Sequence, residues 1–336
     1  MDDNDMKAID KDSYIEDLEG FPDHIMEGYD LPKDITLDKR YKDIEKIMVC
    51  GMGGSGIPGD VLKTYMKYNS KIPVFVNKGY KLPATADKNT LLFTISYSGN
   101  TEETVEAFRE GLRKGCKIVA LTSGGKIDEL ARLHKKPLIN VPKGKQPRTM
   151  IGYLFFAMLR ILVNYKVIRD QSKEVKQLSE FLDSTSFNEK SKDLAKNLLE
   201  KIPLIYSSED FYPAALRFKT QINENAKIHA FWSTFSEMNH NEIVGFTNLY
   251  GNYHMVILGS DSDHPRIKKR FEISKRLVKA KGVTVTQMNF SGSSILKQLF
   301  TAIHMGDWTS YYMAIYKKVD PSPVTIIENL KKDLKR

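Results

Sequence analysis

Two loops rich in glycine and hydroxyl groups hold the residues of this sequence best suited to chemistry. The first, GMGGSGIPGD from Gly51 to Asp60, follows the apolar run KIMVC. Gly51, Gly53 and Gly56 fit the G-x-G-x-x-G spacing of a phosphate-binding turn, which offers unpaired N–H groups and a helix N-terminus to an anion. A dinucleotide would also need an acidic residue about 20 positions on, at the end of the second strand, to hold a ribose hydroxyl. That strand ends PVFVNKG, with Asn77 and Lys78 and no acid. Lys78 could meet a 2′-phosphate, so NADP is weakened rather than excluded, and a tight turn that binds nothing is the plainest alternative. A small phosphate ester fits better than either.

The second loop, SYSGNTEET, places the hydroxyls of Ser96, Ser98 and Thr101 around Gly99. It too follows a buried strand and opens a helix, where open α/β sheets bind ligands. Asn100 with Glu103 is expected to cap that helix. Hydroxyls and backbone N–H groups without a Walker-type lysine suit a phosphate monoester better than a nucleoside triphosphate. Farther along, Arg148 precedes a long apolar helix, where a cation is unfavourable to the helix dipole, a mild sign of function. His240 lies in the polar run NHNE between apolar segments, and an imidazole suits proton transfer near neutrality. Glu224, Glu237 and Glu242 compete as bases on sequence alone. The seven histidines are scattered without His-x-His, His-Glu-x-x-His or Cys-x-x-Cys spacing, so no metal site is expected.

These residues sit on a repeating βα rhythm. EKIMVCGM, PVFVN, TLLFTIS, KIVALTS and PLINVP read as five strands, and helices between them carry apolar residues at helical spacing. RTMIGYLFFAMLRILVNYKVI is a long core helix whose arginines and tyrosines argue against a membrane span. Residues 166–201 read as a helical linker. PLIYSS, KIHAFW, YHMVILGS and VTVTQMNFSG then restart the rhythm, and ILKQLFTAIHMGDWTSYYMAIYKKV is a second long helix. The expected fold is α/β: two mostly parallel sheets flanked by helices, in domains at 41–165 and 202–336, after an acidic helical segment at 1–40.

Composition sets the outer bounds. The chain has 336 residues, 41% hydrophobic and 28% charged, as in a globular protein with sizeable cores. No uncharged apolar run of about 18 residues appears and the N-terminus lacks an apolar signal core, so a cytoplasmic protein off the membrane is expected. Cys50 and Cys116 lie at apolar strand-like runs and read as small buried side chains. The net charge of +9 hides eleven acids against two lysines in residues 1–30, a net −9 that leaves +18 for the rest. The lysines are spread along helices without an Arg-rich arm or a nucleic-acid motif, so no nucleic-acid partner is expected.

Taken in order, GMGGSGIPGD, SYSGNTEET, PRTMIGYLF, MNHNEIVGF and DPSPV resemble the bifunctional phosphoglucose/phosphomannose isomerase family, from about Lys46 to the C-terminus. The resemblance implies two sugar isomerase (SIS) domains. It also implies metal- and cofactor-independent interconversion of glucose 6-phosphate and mannose 6-phosphate with fructose 6-phosphate through an enediol. It places Ser55, Ser96, Ser98 and Thr101, with Gly54 beside them, on the 6-phosphate, and Arg148 beside the reacting carbons. Glu224 becomes the base and His240 assists ring opening from the other subunit of a homodimer with shared active sites. Ser322 stands where the family usually has a threonine with room for both C2 epimers, and Lys331 is the assigned C-terminal lysine. Two rival readings use the same loops: a non-catalytic sugar-phosphate sensor, and an isomerase of a pentose or amino-sugar phosphate.

Overall fold

The computed structural model describes residues 3–35 and 41–334; the parts of the terminal helical expectations that fall on 1–2, 36–40 and 335–336 lie outside the described residues. Two compact units emerge, one of residues 20–185 and one of residues 1–19 with 186–336.

The first unit is built on five parallel strands: β1 (Lys46–Cys50), β2 (Val74–Asn77), β3 (Thr90–Ile95), β4 (Lys117–Thr122) and β5 (Leu138–Asn140). Their order across the sheet is β2-β1-β3-β4-β5. Every residue of β3 and β4 is buried, which is why these strands read as unbroken apolar runs rather than alternating ones. Helices Ile57–Asn69, Glu102–Arg113, Gly125–Leu133 and Ile151–Asn164 flank the sheet sequence. Pro58 is accommodated in the first turn of its helix, where its missing N–H costs nothing. Cys50 and Cys116 are both buried and free. Burial pushes their thiols up, to about 12 and about 11.

The second unit carries four parallel strands: β6 (Ile202–Ser207), β7 (Phe231–Thr234), β8 (Tyr253–Ser260) and β9 (Thr284–Phe290), in the order β7-β6-β8-β9. The strand expected from Lys227 to Trp232 begins only at Phe231, because residues 222–226 form a π-helical turn that Lys227 closes in the left-handed region. The helix Ile295–Tyr316 is almost wholly buried and holds Asp307 in an ion pair with Arg217. Asp307 takes Arg217 Nη2 at 2.7 Å and Nε at 3.0 Å, both residues nearly inaccessible. Residues 3–19 pack into this unit through Tyr14, whose ring stacks on Tyr311 at 6.3 Å. Among the described residues no helix is long and apolar enough to cross a membrane.

Candidate functional site

In the first sheet the chain leaves β1 for β2 on one side and returns to β3 on the other, so a topological switch point lies between β1 and β3. The loops that follow these two strands are GMGGSG and SYSGNT. Residues Gly53–Ser55 form a 3₁₀ turn, and Ser55 is buried with its Oγ accepting the Tyr97 N–H at 3.2 Å. One hydroxyl thus ties the two loops together. Ser96 is also buried; its Oγ donates to Thr101 Oγ1 at 2.9 Å. Ser98 is exposed and Thr101 half-buried at the head of helix Glu102–Arg113.

The turn needs its glycine at position 99. Gly99 has φ +71°, and a Cβ there would fall 1.7 Å from the Gly124 carbonyl oxygen. The expected Asn100–Glu103 capping pair is not formed. Asn100 Oδ1 instead accepts the Lys126 N–H at 3.1 Å and its Nδ2 donates to the Ser98 carbonyl, while Thr101 occupies the cap position without a side-chain bond to the helix. The loop is pinned sideways to its neighbour, and the N-terminal N–H groups of the helix are not capped by either side chain.

Arg148 belongs to the same unit. It lies in the 3₁₀ turn Pro147–Thr149, is 2% exposed, and donates from Nη1 to Gln146 Oε1 at 3.2 Å. Gly54 packs directly on this turn: a Cβ at position 54 would lie 2.8 Å from Arg148 Cα and 2.8 Å from the Pro147 oxygen. The structure therefore brings Gly54, Ser55, Ser96, Thr101 and Arg148 into one connected set. Lys78, which follows β2, is held by Asp60 at 2.6 Å.

The second unit has an equivalent switch point between β6 and β8, where the loop after β8 is tied by its own side chains. Buried Asp263 accepts the Ser260 N–H at 2.7 Å, and Ser260 Oγ donates to Gln298 Oε1 at 2.5 Å. Here a buried carboxylate joins the serine hydroxyls, and burial raises its pKa above the usual carboxylate range. The candidate chemistry of this unit lies elsewhere. Glu224 sits half-buried within the π-turn Ile222–Ala226. Ser322 is buried, its N–H donating to Asp320 Oδ1 at 3.0 Å.

The competing glutamates are otherwise engaged. Glu242 accepts the Tyr206 hydroxyl at 2.5 Å, and burial followed by that carboxylate pushes the Tyr206 phenol well above its usual range. Glu237 accepts the Asn241 amide. His240 is exposed, and its ring makes no hydrogen bond among the described residues, so one chain does not link it to Glu224 in this way. Lys331 is likewise exposed, on the last helix Thr325–Asp333, which buries no residue. Among the described residues no group of three or more His, Cys, Asp and Glu side chains gathers where it could hold a metal ion.

Two parallel sheets with hydroxyl-lined loops at a switch point define a double-SIS phosphosugar protein, and comparison with known proteins agrees. Residues 41–164 match the SIS domain family, and residues 187–334 match the bacterial phospho-glucose isomerase C-terminal SIS domain. The C-terminal domain of glucosamine-fructose-6-phosphate aminotransferase from Francisella tularensis has the same fold, with a TM-score of 0.73 at 16% identity over 92% of this chain and 98% of that one. A bifunctional phosphoglucose/phosphomannose isomerase from Caldicellulosiruptor bescii is 37% identical over 95% of this chain and 98% of its own length. The chain belongs to the bifunctional phosphoglucose/phosphomannose isomerase family, and is a phosphosugar isomerase with a hexose phosphate as its substrate class. A D-glucosamine-6-phosphate 4-epimerase from Sulfolobus acidocaldarius is also 37% identical, over 66% of this chain and 70% of its own length.

Proposed function

We propose that the protein interconverts glucose 6-phosphate and mannose 6-phosphate with fructose 6-phosphate, without a metal or nucleotide cofactor. The observation that carries this reading is the connected set at the first switch point, hydroxyls of Ser55, Ser96 and Thr101 with buried Arg148 packed on Gly54. These hydroxyls, with Ser98 and the helix N–H groups, bind the 6-phosphate. Arg148, permanently charged, stabilises the enediolate oxygen. Glu224 removes the C2 proton and returns it to C1, so one carboxylate serves both carbons. In this reading His240 moves the proton between O1 and O5 on ring opening and comes from the second copy of a homodimer. Ser322 leaves room at C2 for both epimers, and Lys331 is assigned an auxiliary cationic role.

Replacing Glu224 by Gln tests the assignment. The variant should lose isomerisation of both aldose phosphates by about 100-fold or more while its binding of fructose 6-phosphate, measured by calorimetry, stays near the wild-type level. Retained turnover would remove Glu224 from the mechanism. The relationship to the Sulfolobus epimerase favours a second reading, inversion at C4 of glucosamine 6-phosphate. Incubation with that amino sugar, followed by NMR of the ring protons, separates the two: the isomerase reading expects no C4 epimer. A protein that turned over none of these sugars would instead be a sensor.

A further inference from the structure

The turn that carries Glu224 has the rare π-helical winding, which recurs at functional sites. Three polar neighbours hold it open. Asn223 donates from Nδ2 to the Ile228 carbonyl at 2.8 Å. Asn225, fully buried, donates from Nδ2 to the Tyr14 hydroxyl oxygen at 3.2 Å and to Ser310 Oγ at 2.9 Å. Lys227 ends the turn at φ 57°, ψ 34°, a left-handed conformation that a residue with a Cβ rarely adopts. Its ammonium turns back onto two carbonyl oxygens, that of Glu224 and that of Pro321, the latter at 2.8 Å.

Those two carbonyls belong to the residue assigned as the base and to the residue immediately before Ser322. A lysine ammonium has three donors and no fixed plane, so it can serve two acceptors on different segments at once. Resting on the assignment of Glu224 as base, we propose that Lys227 is a positioning residue. It clamps the Glu224 turn to the Asp320–Ser322 turn, so that the base and the hydroxyl beside C2 keep one spacing for glucose and mannose phosphates alike. The left-handed backbone at Lys227 is what lets its side chain double back between the two turns.

The test uses the full-length protein with Lys227→Met, Lys227→Arg and Lys227→Gly, and measures kcat and KM on both aldose phosphates, with thermal melting alongside. Lys227→Met keeps the stem and removes the ammonium. It should lower kcat about 10- to 100-fold, the cost expected of a misplaced catalytic group. KM should change by less than about twofold, since the phosphate is held elsewhere, and the mannose-to-glucose ratio of kcat should shift. Lys227→Arg should restore most of the lost kcat. Lys227→Gly relieves the backbone strain without restoring the donor, and should remain as slow as Lys227→Met. A purely structural role would give an equal loss on both substrates, a lowered melting temperature and recovery in Lys227→Gly, and that pattern would overturn the clamp. Wild-type kcat and ratio in Lys227→Met would overturn it too, while leaving the isomerase reading intact. Failure of the unmodified protein to turn over either hexose phosphate would instead overturn the reading of the site on which the clamp depends.

Discussion

Adding one methyl group at Gly54 should disable the protein without unfolding it. The three nearest neighbours of a Cβ at this position are all main-chain atoms: Arg148 Cα and Pro147 O at 2.8 Å and Arg148 N at 2.9 Å. Ordinary contact starts near 3.4 Å, so the Gly53–Ser55 turn and the Pro147–Thr149 turn must part by about 0.6 Å, and no side-chain rotamer can absorb the shift. Overpacking of this kind costs about 1–3 kcal/mol. For a unit of this size that is a melting-temperature loss of about 2–12 °C. The larger effect is on the reaction, because Ser55 lies on one of the separated turns and Arg148 on the other. A displacement approaching 1 Å costs up to about 100-fold in rate, so Gly54→Ala should lower kcat/KM by about 10- to 100-fold. Steady-state assay of fructose 6-phosphate formation, with a melting curve on the same sample, measures both quantities. Gly79→Ala is the control, since no heavy atom lies within 4 Å of a Cβ there. Wild-type kcat/KM in Gly54→Ala would refute the claim that the glycine sets the spacing of phosphate loop and guanidinium.

Two further outcomes concern stability. His254 is buried on β8 with its ring nitrogens against the hydroxyls of Thr286 (2.8 Å) and Thr284 (3.0 Å), and burial, then Lys201, pushes it down to about 4. The unfolded chain, with an imidazole near 6.5, binds more protons in this range. Stability is therefore full above about pH 6.5 and falls by on the order of 3 kcal/mol as the pH drops to 4. Urea unfolding between pH 7 and 4 should show a shallower fall in His254→Gln. Buried His304, pushed to about 3, adds a slope of the same sign that this variant retains. Asp307→Asn leaves the buried Arg217 charge without its counter-ion and should cost about 3–5 kcal/mol in the same assay, whereas removing an exposed pair such as Lys126–Glu129 should cost less than about 1 kcal/mol.

The strands of the first sheet are legible because parallel strands covered on both faces leave continuous apolar runs, as in TLLFTI and KIVALT. The two loops are legible for a related reason: glycine and serine just after a buried strand mark the carboxyl end of a sheet. Sequence patterns carry less where the backbone departs from regular periods. Nothing in INENAK distinguishes a π-turn from ordinary helix, KIHAFW reads as a strand that starts four residues before β7 does, and Lys227 reads as one more surface lysine. Asn100 has the composition of a cap and spends its amide on Lys126 instead, because the bond it makes crosses to another helix that local sequence cannot indicate. The choice among Glu224, Glu237 and Glu242 was likewise open on sequence alone, and the partners of the last two are set by tertiary packing at Tyr206 and Asn241.

The chain order of the second unit dictates when it can be finished. The Tyr14 ring and hydroxyl can meet Gln221, Asn225 and Tyr311 only once those residues have been made, and the whole first unit is interposed between them in the sequence. During synthesis the helix Tyr14–Glu19 must wait in solvent while residues 20–185 gain a sheet whose strands all lie within that stretch. Closing so long a loop is entropically cheap, since the cost grows only with the logarithm of its length, but it is slow to find. The buttress behind the Glu224 turn is thus among the last contacts to form. A nascent or partly unfolded molecule would assemble its two glycine-rich loops well before the Glu224 turn had that support, so on the proposed roles recovery of anion binding on refolding should precede recovery of turnover.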